Sequence, residues 1–143
     1  MSVPARSSRR LAIAFAAFAL LWTIALLVPI PKRDAQQVLG STSRMFLFGK
    51  ALHVGAYAFL TILAGFLALQ RRHRWVLLAG LVVHGGLTEF TQQFVGRGGA
   101  WSDWGLDCIG IGIGFLVGIR GWKRLFRPEA LESPPSATAG TSA

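Results

Sequence analysis

Charged residues are scarce in this chain of 143 residues, at 15 % of the total, and acidic ones are the scarcest. A soluble domain carries about a quarter charged residues, so this chain has too few to cover a surface that faces water. Its single cysteine cannot close an internal disulfide, which excludes a disulfide scaffold. The apolar fraction of 52 % argues against a disordered chain. The net charge of +9 falls in the gaps between apolar runs, so we expect no nucleic-acid partner. These exclusions leave a small integral membrane protein.

Apolar runs make up most of the sequence. Residues 11–31 and 51–70 contain no Asp, Glu, Lys or Arg over 21 and 20 positions, and about 20 apolar residues span a bilayer as a helix. Two further apolar runs are interrupted by acids: 75–95 holds Glu89, and 103–119 holds Asp103 and Asp107 near its start. We therefore predict an all-α membrane protein with four transmembrane helices in a single domain over residues 1–127. The helices are predicted near residues 11–30, 50–69, 75–95 and 103–120.

The basic residues between these runs predict the orientation. Ten of them lie in the amino-terminal segment, the second-to-third loop and the carboxyl end, whereas five lie on the other side. Basic residues concentrate on the cytoplasmic side, so both termini are predicted to be cytoplasmic. Residues 128–143 show no apolar periodicity and are predicted to form a disordered cytoplasmic tail.

Several polar residues interrupt the predicted spans, where an ionisable side chain costs about 2.5–3.5 kcal/mol. Helical spacing places them on one face of each helix, and the topology places them toward the outer ends of the helices. They are Lys50, His53 and Tyr57 on the second helix, Glu89 and Gln92 on the third, and Asp103 and Asp107 on the fourth, with Arg97 in the loop between the last two. The sequence therefore predicts one polar cluster at the outer membrane level.

These motifs resemble the VanZ-like family, small bacterial membrane proteins named for a factor associated with teicoplanin resistance. The matching runs are Lys50-x2-His53-x3-Tyr57, then Thr88-Glu89-Phe90-x-Gln92, then Arg97-x5-Asp103-x3-Asp107-x2-Gly110-x3-Gly114. The resemblance covers residues 11–120. It departs at Gly49, where the family usually has an acid, and at Asp107, where it usually has Asn. It implies a multi-pass protein of the bacterial cytoplasmic (inner) membrane with a role in the cell envelope, linked to teicoplanin resistance, but it brings no settled reaction.

The residue types in the cluster leave three functions open. In the first, the cluster binds an anionic lipid-linked envelope precursor, such as a glycolipid or a peptidoglycan precursor, or passes it across the membrane without bond chemistry. The ligand-binding residues would be Lys50, Tyr57, Gln92 and Arg97. In the second, the protein is an enzyme in which His53 and Glu89 act as an acid–base pair, with Asp103 and Asp107 as further candidate catalytic residues. In the third, the protein is a structural partner of larger envelope machinery, and a homo-oligomer is also open.

Other residues and chemistries receive structural interpretations. Lys50 and Arg97 are predicted at helix ends, where basic side chains extend to the membrane interface. His84 lies on a different face from Glu89 and is expected to be packed or hydrogen-bonded. The sequence has no His-Glu-x-x-His and no other recognised ligand spacing. We therefore predict neither a metal nor a cofactor, and membrane lipids are the expected partners.

Overall fold

A computed structural model describes residues 5–28, 41–96 and 99–123, and side chains within these ranges except those of residues 5–8 and 42. Within them the chain is all-helical and contains no strand, which confirms the all-α part of the prediction. The helices are α1 (Ala5–Leu27), α2 (Thr42–Phe66), α3 (Arg71–Gln92), α4 (Trp101–Val117) and a short α5 (Ile119–Trp122). The predicted tail at 128–143 and residues 29–40, which follow the first helix, lie outside the described residues.

The start of α2 differs most from its predicted position. The helix begins at Thr42, eight residues before the predicted start, because Ser41 is its N-cap and accepts a hydrogen bond from the Arg44 backbone N–H at 3.3 Å. Lys50 consequently lies about 12 Å inside the helix, at 1.5 Å per residue. The prediction that Lys50 sits at a helix end was wrong.

Helices α2 and α4 approach each other most closely, at two glycines of α4. A Cβ added to Gly110 would overlap the carbonyl oxygen of Val54, and one added to Gly114 would overlap that of Ala58. Small residues allow backbones to come this near. The close approach fixes the register between α2 and α4, and with it the relative positions of their polar side chains.

The described residues have an unusual distribution of polarity, with polar side chains buried and large apolar ones exposed. Tyr57, Leu60, Leu81 and Ile111 form an apolar core, and α1 packs on it through Phe15, Phe18, Ala19 and Trp22. Every long helix also exposes large apolar side chains, among them Leu21 on α1, Phe66 on α2, Val76 on α3 and Leu116 on α4. Two helices, Arg9–Leu27 and Ser43–Phe66, are long and apolar enough to cross a membrane, judged by length and composition.

One end of the bundle is closed by Arg74, which the sequence counts among the cations of a cytoplasmic loop. The structure buries this side chain to 1 % exposure. Its guanidinium donates to four backbone carbonyls, those of Gly65, Leu67, Leu69 and Gly121, at 2.6–3.2 Å. The last carbonyls of a helix have no partner within it, so Arg74 supplies donors to the end of α2.

Trp122 completes this closed end. Its ring lies 5.8 Å from the Arg74 guanidinium, and its Nε1 donates to the Thr61 carbonyl at 3.2 Å. The structure buries Trp122 completely. Gly65 leaves room for the indole, since a Cβ there would lie 2.7 Å from its Nε1.

Candidate functional site

Three helices bring their polar residues together at the end of the bundle opposite Arg74. The amino-terminal half of α2, the last turns of α3 and the first turns of α4 contribute the residues that we call the polar cluster: Lys50, His53, Glu89, Asp103 and Asp107. The sequence predicts these five residues at one level, and the structure brings Lys50 into contact with Asp103, and His53 with Glu89 and Asp107. The cluster has a buried inner part and a partly exposed outer part.

The inner part consists of His53, Glu89 and Asp107. His53 Nδ1 lies 2.8 Å from Asp107 Oδ1, a hydrogen-bond distance, and 3.8 Å from Glu89 Oε1. Glu89 is 1 % exposed and Asp107 is fully buried. The predicted partner of His53 is Glu89, but the structure gives the hydrogen bond to Asp107. A histidine oriented by one carboxylate and facing a second is suited to accept, hold or release a proton.

The outer part is the ion pair between Lys50 and Asp103. Lys50 Nζ donates to Asp103 Oδ1 at 2.5 Å, and the two side chains are 27 % and 24 % exposed. The ammonium also lies 4.5 Å from the centre of the Phe46 ring. Because Asp103 pairs with Lys50, the lysine does not neutralise the buried carboxylates below it.

Glu89 joins α3 to the beginning of α4. Its Oε2 accepts a hydrogen bond from the backbone N–H of Ala100, the N-cap residue of α4, at 2.9 Å. Within the part of the chain that the structure describes, its Oε1 is buried without a hydrogen-bond partner, and so is Asp107 Oδ2. Buried polar atoms are rarely left in this condition unless a ligand, an ion or water occupies the site. These two oxygens are the strongest indication that the cluster does more than hold helices together.

Tyr57 belongs to a different network, although it shares a helix face with His53. Its hydroxyl lies 2.8 Å from Nδ1 of His84, whose Nε2 lies 2.8 Å from the Thr23 hydroxyl. Thr23 donates its one proton to the Ala19 carbonyl, so it accepts from His84 Nε2, and Nδ1 then accepts from Tyr57. His84 is thus hydrogen-bonded as predicted, and Tyr57, predicted to bind ligand, faces this histidine.

The remaining predicted residues are Gln92 and Arg97. Gln92 is buried at the end of α3, one turn beyond Glu89, whereas Arg97 lies outside the described residues. The sequence interpretation missed Trp22, whose ring stands edge-on to the His53 ring at a centroid distance of 5.9 Å. Its Nε1 has no hydrogen-bond partner among the described residues. A tryptophan within an apolar helix carries no local signal for such a contact.

The inner part of the cluster also has the composition of a metal-binding group. His53, Glu89 and Asp107 each offer one ligand atom, and these atoms lie within 4.8 Å of one another. The three residues come from three helices, so no spacing along the chain could have predicted the group. An imidazole nitrogen with two carboxylate oxygens is a donor set that suits a divalent cation.

Comparisons with known protein families, with curated proteins and with solved structures find no match. The resemblance to the VanZ-like family therefore stays a prediction drawn from the motifs. The class that the fold supports is an all-helical protein with two helices able to cross a membrane.

Proposed function

We propose that this chain is a four-span, VanZ-like protein of the bacterial cytoplasmic membrane, and that its polar cluster binds the headgroup of an anionic lipid-linked envelope precursor. The observation that carries the proposal is the arrangement of the cluster at one end of the bundle. The Lys50–Asp103 pair is partly exposed. The inner part of the cluster is buried, and there Glu89 and Asp107 each have a carboxylate oxygen with no hydrogen-bond partner among the described residues. Polar, incompletely satisfied groups at the mouth of an apolar bundle are typical of a binding site.

The apolar outer faces of α3 and α4 support four spans. Leu87 on α3 and Leu116 on α4 are 59 % and 68 % exposed, whereas Glu89 and Asp107 are buried inside. In water, so much exposed apolar surface is a liability for association. In a bilayer it is the expected lipid-facing surface, because ionisable residues in spans face the bundle interior.

Lys50 is the residue best placed to receive an anionic group. An ion pair at this exposure contributes about 0–1 kcal/mol, so a phosphate oxygen can displace Asp103 from the ammonium. Hydrogen bonds between charged partners are shorter and stronger than neutral ones. The headgroup would then be held at the outer end while its acyl or prenyl tail stays in the lipid.

The topology is tested by cysteine labelling from outside intact cells, in a Cys108→Ser background. Single cysteines at Ser41 and Gly98 should react with a membrane-impermeant maleimide, because both are placed in outer loops. Cysteines at Arg72 and Ser136 should react only after permeabilisation. Labelling of Ser136 from outside would overturn the cytoplasmic termini and the outward position of the cluster.

Headgroup binding is tested with the purified full chain in detergent and a polyprenyl phosphate as the probe. Lys50→Ala should weaken binding by about tenfold or more, since a hydrogen bond to a charged group contributes about 1.5–3 kcal/mol. The matched control is Arg72→Ala, an exposed cation on α3 remote from the cluster, which should leave binding unchanged. Equal affinity in both variants, or equal binding of the uncharged polyprenol, would contradict the proposal.

A second candidate function, catalysis on such a lipid, is favoured by the hydrogen bond between His53 and Asp107. It holds the imidazole beside the Glu89 carboxyl, an arrangement suited to general acid–base chemistry. Membranes with wild-type protein and with Glu89→Gln would be compared by lipid analysis. A lipid species that disappears or appears would establish an enzyme, whereas unchanged species would leave binding as the function.

A further inference from the structure

We infer that His53, Glu89 and Asp107 form a binding site for one divalent transition-metal ion. One ligand atom from each residue lies within 4.8 Å of the others. The Glu89 carboxyl is 1 % exposed, and its Oε1, 3.8 Å from His53 Nδ1, has no hydrogen-bond partner among the described residues. A buried carboxylate oxygen with free bonding capacity beside a histidine nitrogen is suited to share a cation with it.

The charge of the inner part of the cluster also favours a bound cation. Two carboxyl groups lie buried within reach of one imidazole, and among the described residues the nearby lysine is paired with Asp103 instead. Buried charges without a partner are strongly unfavourable. One divalent cation would balance two carboxylates and give the unpartnered Glu89 Oε1 a positively charged neighbour.

The donor set selects the kind of ion. Calcium and magnesium take oxygen ligands almost exclusively, whereas an imidazole nitrogen suits zinc and the neighbouring transition metals. Tetrahedral zinc with bonds of about 2.1 Å separates its ligand atoms by about 3.4 Å. The separations of 2.8 Å and 3.8 Å from His53 lie on either side of that value, and the two carboxylate oxygens lie within 4.8 Å of each other, so shifts on the order of 1 Å close the site.

Three protein ligands leave the fourth position of a tetrahedral ion open, as in catalytic zinc sites. An ion there would offer an anionic oxygen a positive partner within a cluster that is otherwise rich in carboxylates. This last link rests on the proposed headgroup function, but the metal site itself does not. Protons compete with the ion for the imidazole nitrogen and the two carboxylates, so affinity should fall at low pH.

The test is a calorimetric titration of the full chain, purified in detergent and stripped with a chelator, with zinc alone as the probe. We expect one ion per chain, and Glu89→Gln should weaken binding by on the order of 100-fold, because removing even an outer-shell contact costs 10–100-fold. His53→Gln should behave alike. The control His73→Gln removes an exposed histidine at the other end of α3 and should bind as the wild type does.

Substitution of cobalt for zinc gives a second measurement, since its visible spectrum reports the ligand geometry. Thermal unfolding of each variant without metal shows whether it is folded. Absence of stoichiometric binding to the wild type, or the same affinity in Glu89→Gln and His73→Gln, would overturn the site. If the chain binds zinc but not polyprenyl phosphate, the metal site stands and the headgroup proposal is rejected. If it binds polyprenyl phosphate but not zinc, the headgroup proposal stands and the metal site is rejected.

Discussion

The two ends of the bundle treat buried polar groups in opposite ways. At the closed end, the Arg74 guanidinium donates to four backbone carbonyls and lies beside the Trp122 ring. At the cluster end, Glu89 and Asp107 are as deeply buried as Arg74, yet each keeps an oxygen without a partner among the described residues. A satisfied network stabilises one packing of the helices, whereas an incomplete one leaves bonding capacity for a ligand. We therefore expect substitutions at the closed end to change stability and substitutions at the cluster end to change binding.

The largest effect is expected at the closed end, from Arg74→Ala. The substitution removes the donors to the end of α2 and leaves a cavity beside Trp122, so the free energy of unfolding should fall by about 3–5 kcal/mol. Thermal or chemical unfolding in detergent measures the change. Arg72→Ala, two residues away and exposed, is the matched control and should be close to wild type. Equal stability of the two variants would remove the distinction between the ends.

The close contact between α2 and α4 should give the next largest effect. In Gly110→Ala the new Cβ meets the Val54 carbonyl, which the backbone can relieve only by moving the helices apart, and the loss should be about 1–3 kcal/mol. Gly112→Ala is the control on the same helix. Apart from the backbone of its own helix, no atom of the described residues lies within 4 Å of a Cβ added to Gly112. A similar unfolding midpoint for both variants would show that the contact is looser than described.

The Glu89→Gln variant tests whether the cluster end contributes to binding more than to stability. It keeps the shape and the acceptor for the Ala100 N–H while removing a charge that is costly in a membrane. The free energy of unfolding should therefore change by less than about 1 kcal/mol, while zinc binding weakens by on the order of 100-fold. If Glu89 were instead a purely structural ion-pair partner, its removal would cost about 3–5 kcal/mol. Expression and monodispersity in detergent distinguish the two results.

The smallest effect on stability is expected from Asp103→Asn. The Lys50–Asp103 pair is partly exposed, so its loss should reduce the free energy of unfolding by less than about 1 kcal/mol, and by less still at high salt. Unfolding at two ionic strengths checks this. The variant should, however, bind polyprenyl phosphate more tightly, because Lys50 is released. Weaker binding would mean that Asp103 itself contacts the headgroup.

The sequence predicts the helical class and the convergence of the cluster, because both depend on local periodicity. His53, Glu89, Asp103 and Asp107 are each placed by the angle of 100° between successive helical residues and by the order of the helices. Ser41 is a helix-start signal that could have placed Lys50 correctly, since serine before an apolar run is a common N-cap. The prediction began the helix near residue 50, at the charge-free run, and did not use Ser41.

What the sequence does not predict are the contacts between helices. Arg74 stands among other loop arginines, and only the arrival of the ends of α2 and α5 around it makes it a buried side chain. Tyr57 is on the same face as His53 but one turn deeper, where His84 and Thr23 arrive from other helices. The choice of Asp107 over Glu89 as the partner of His53 depends on the distance between α2 and α4, which the glycines set.

Among the described helices only α1 and α2 are both long and apolar enough to cross a membrane, judged by length and composition, and this has a consequence for how the protein is made. In the proposed four-span arrangement, α3 leaves the ribosome before Ala100, which supplies the N–H to Glu89. A glutamate without that donor resists entry into lipid. The third helix should therefore wait at the translocon until the fourth has been synthesised, and the two should enter the bilayer together as a helical hairpin.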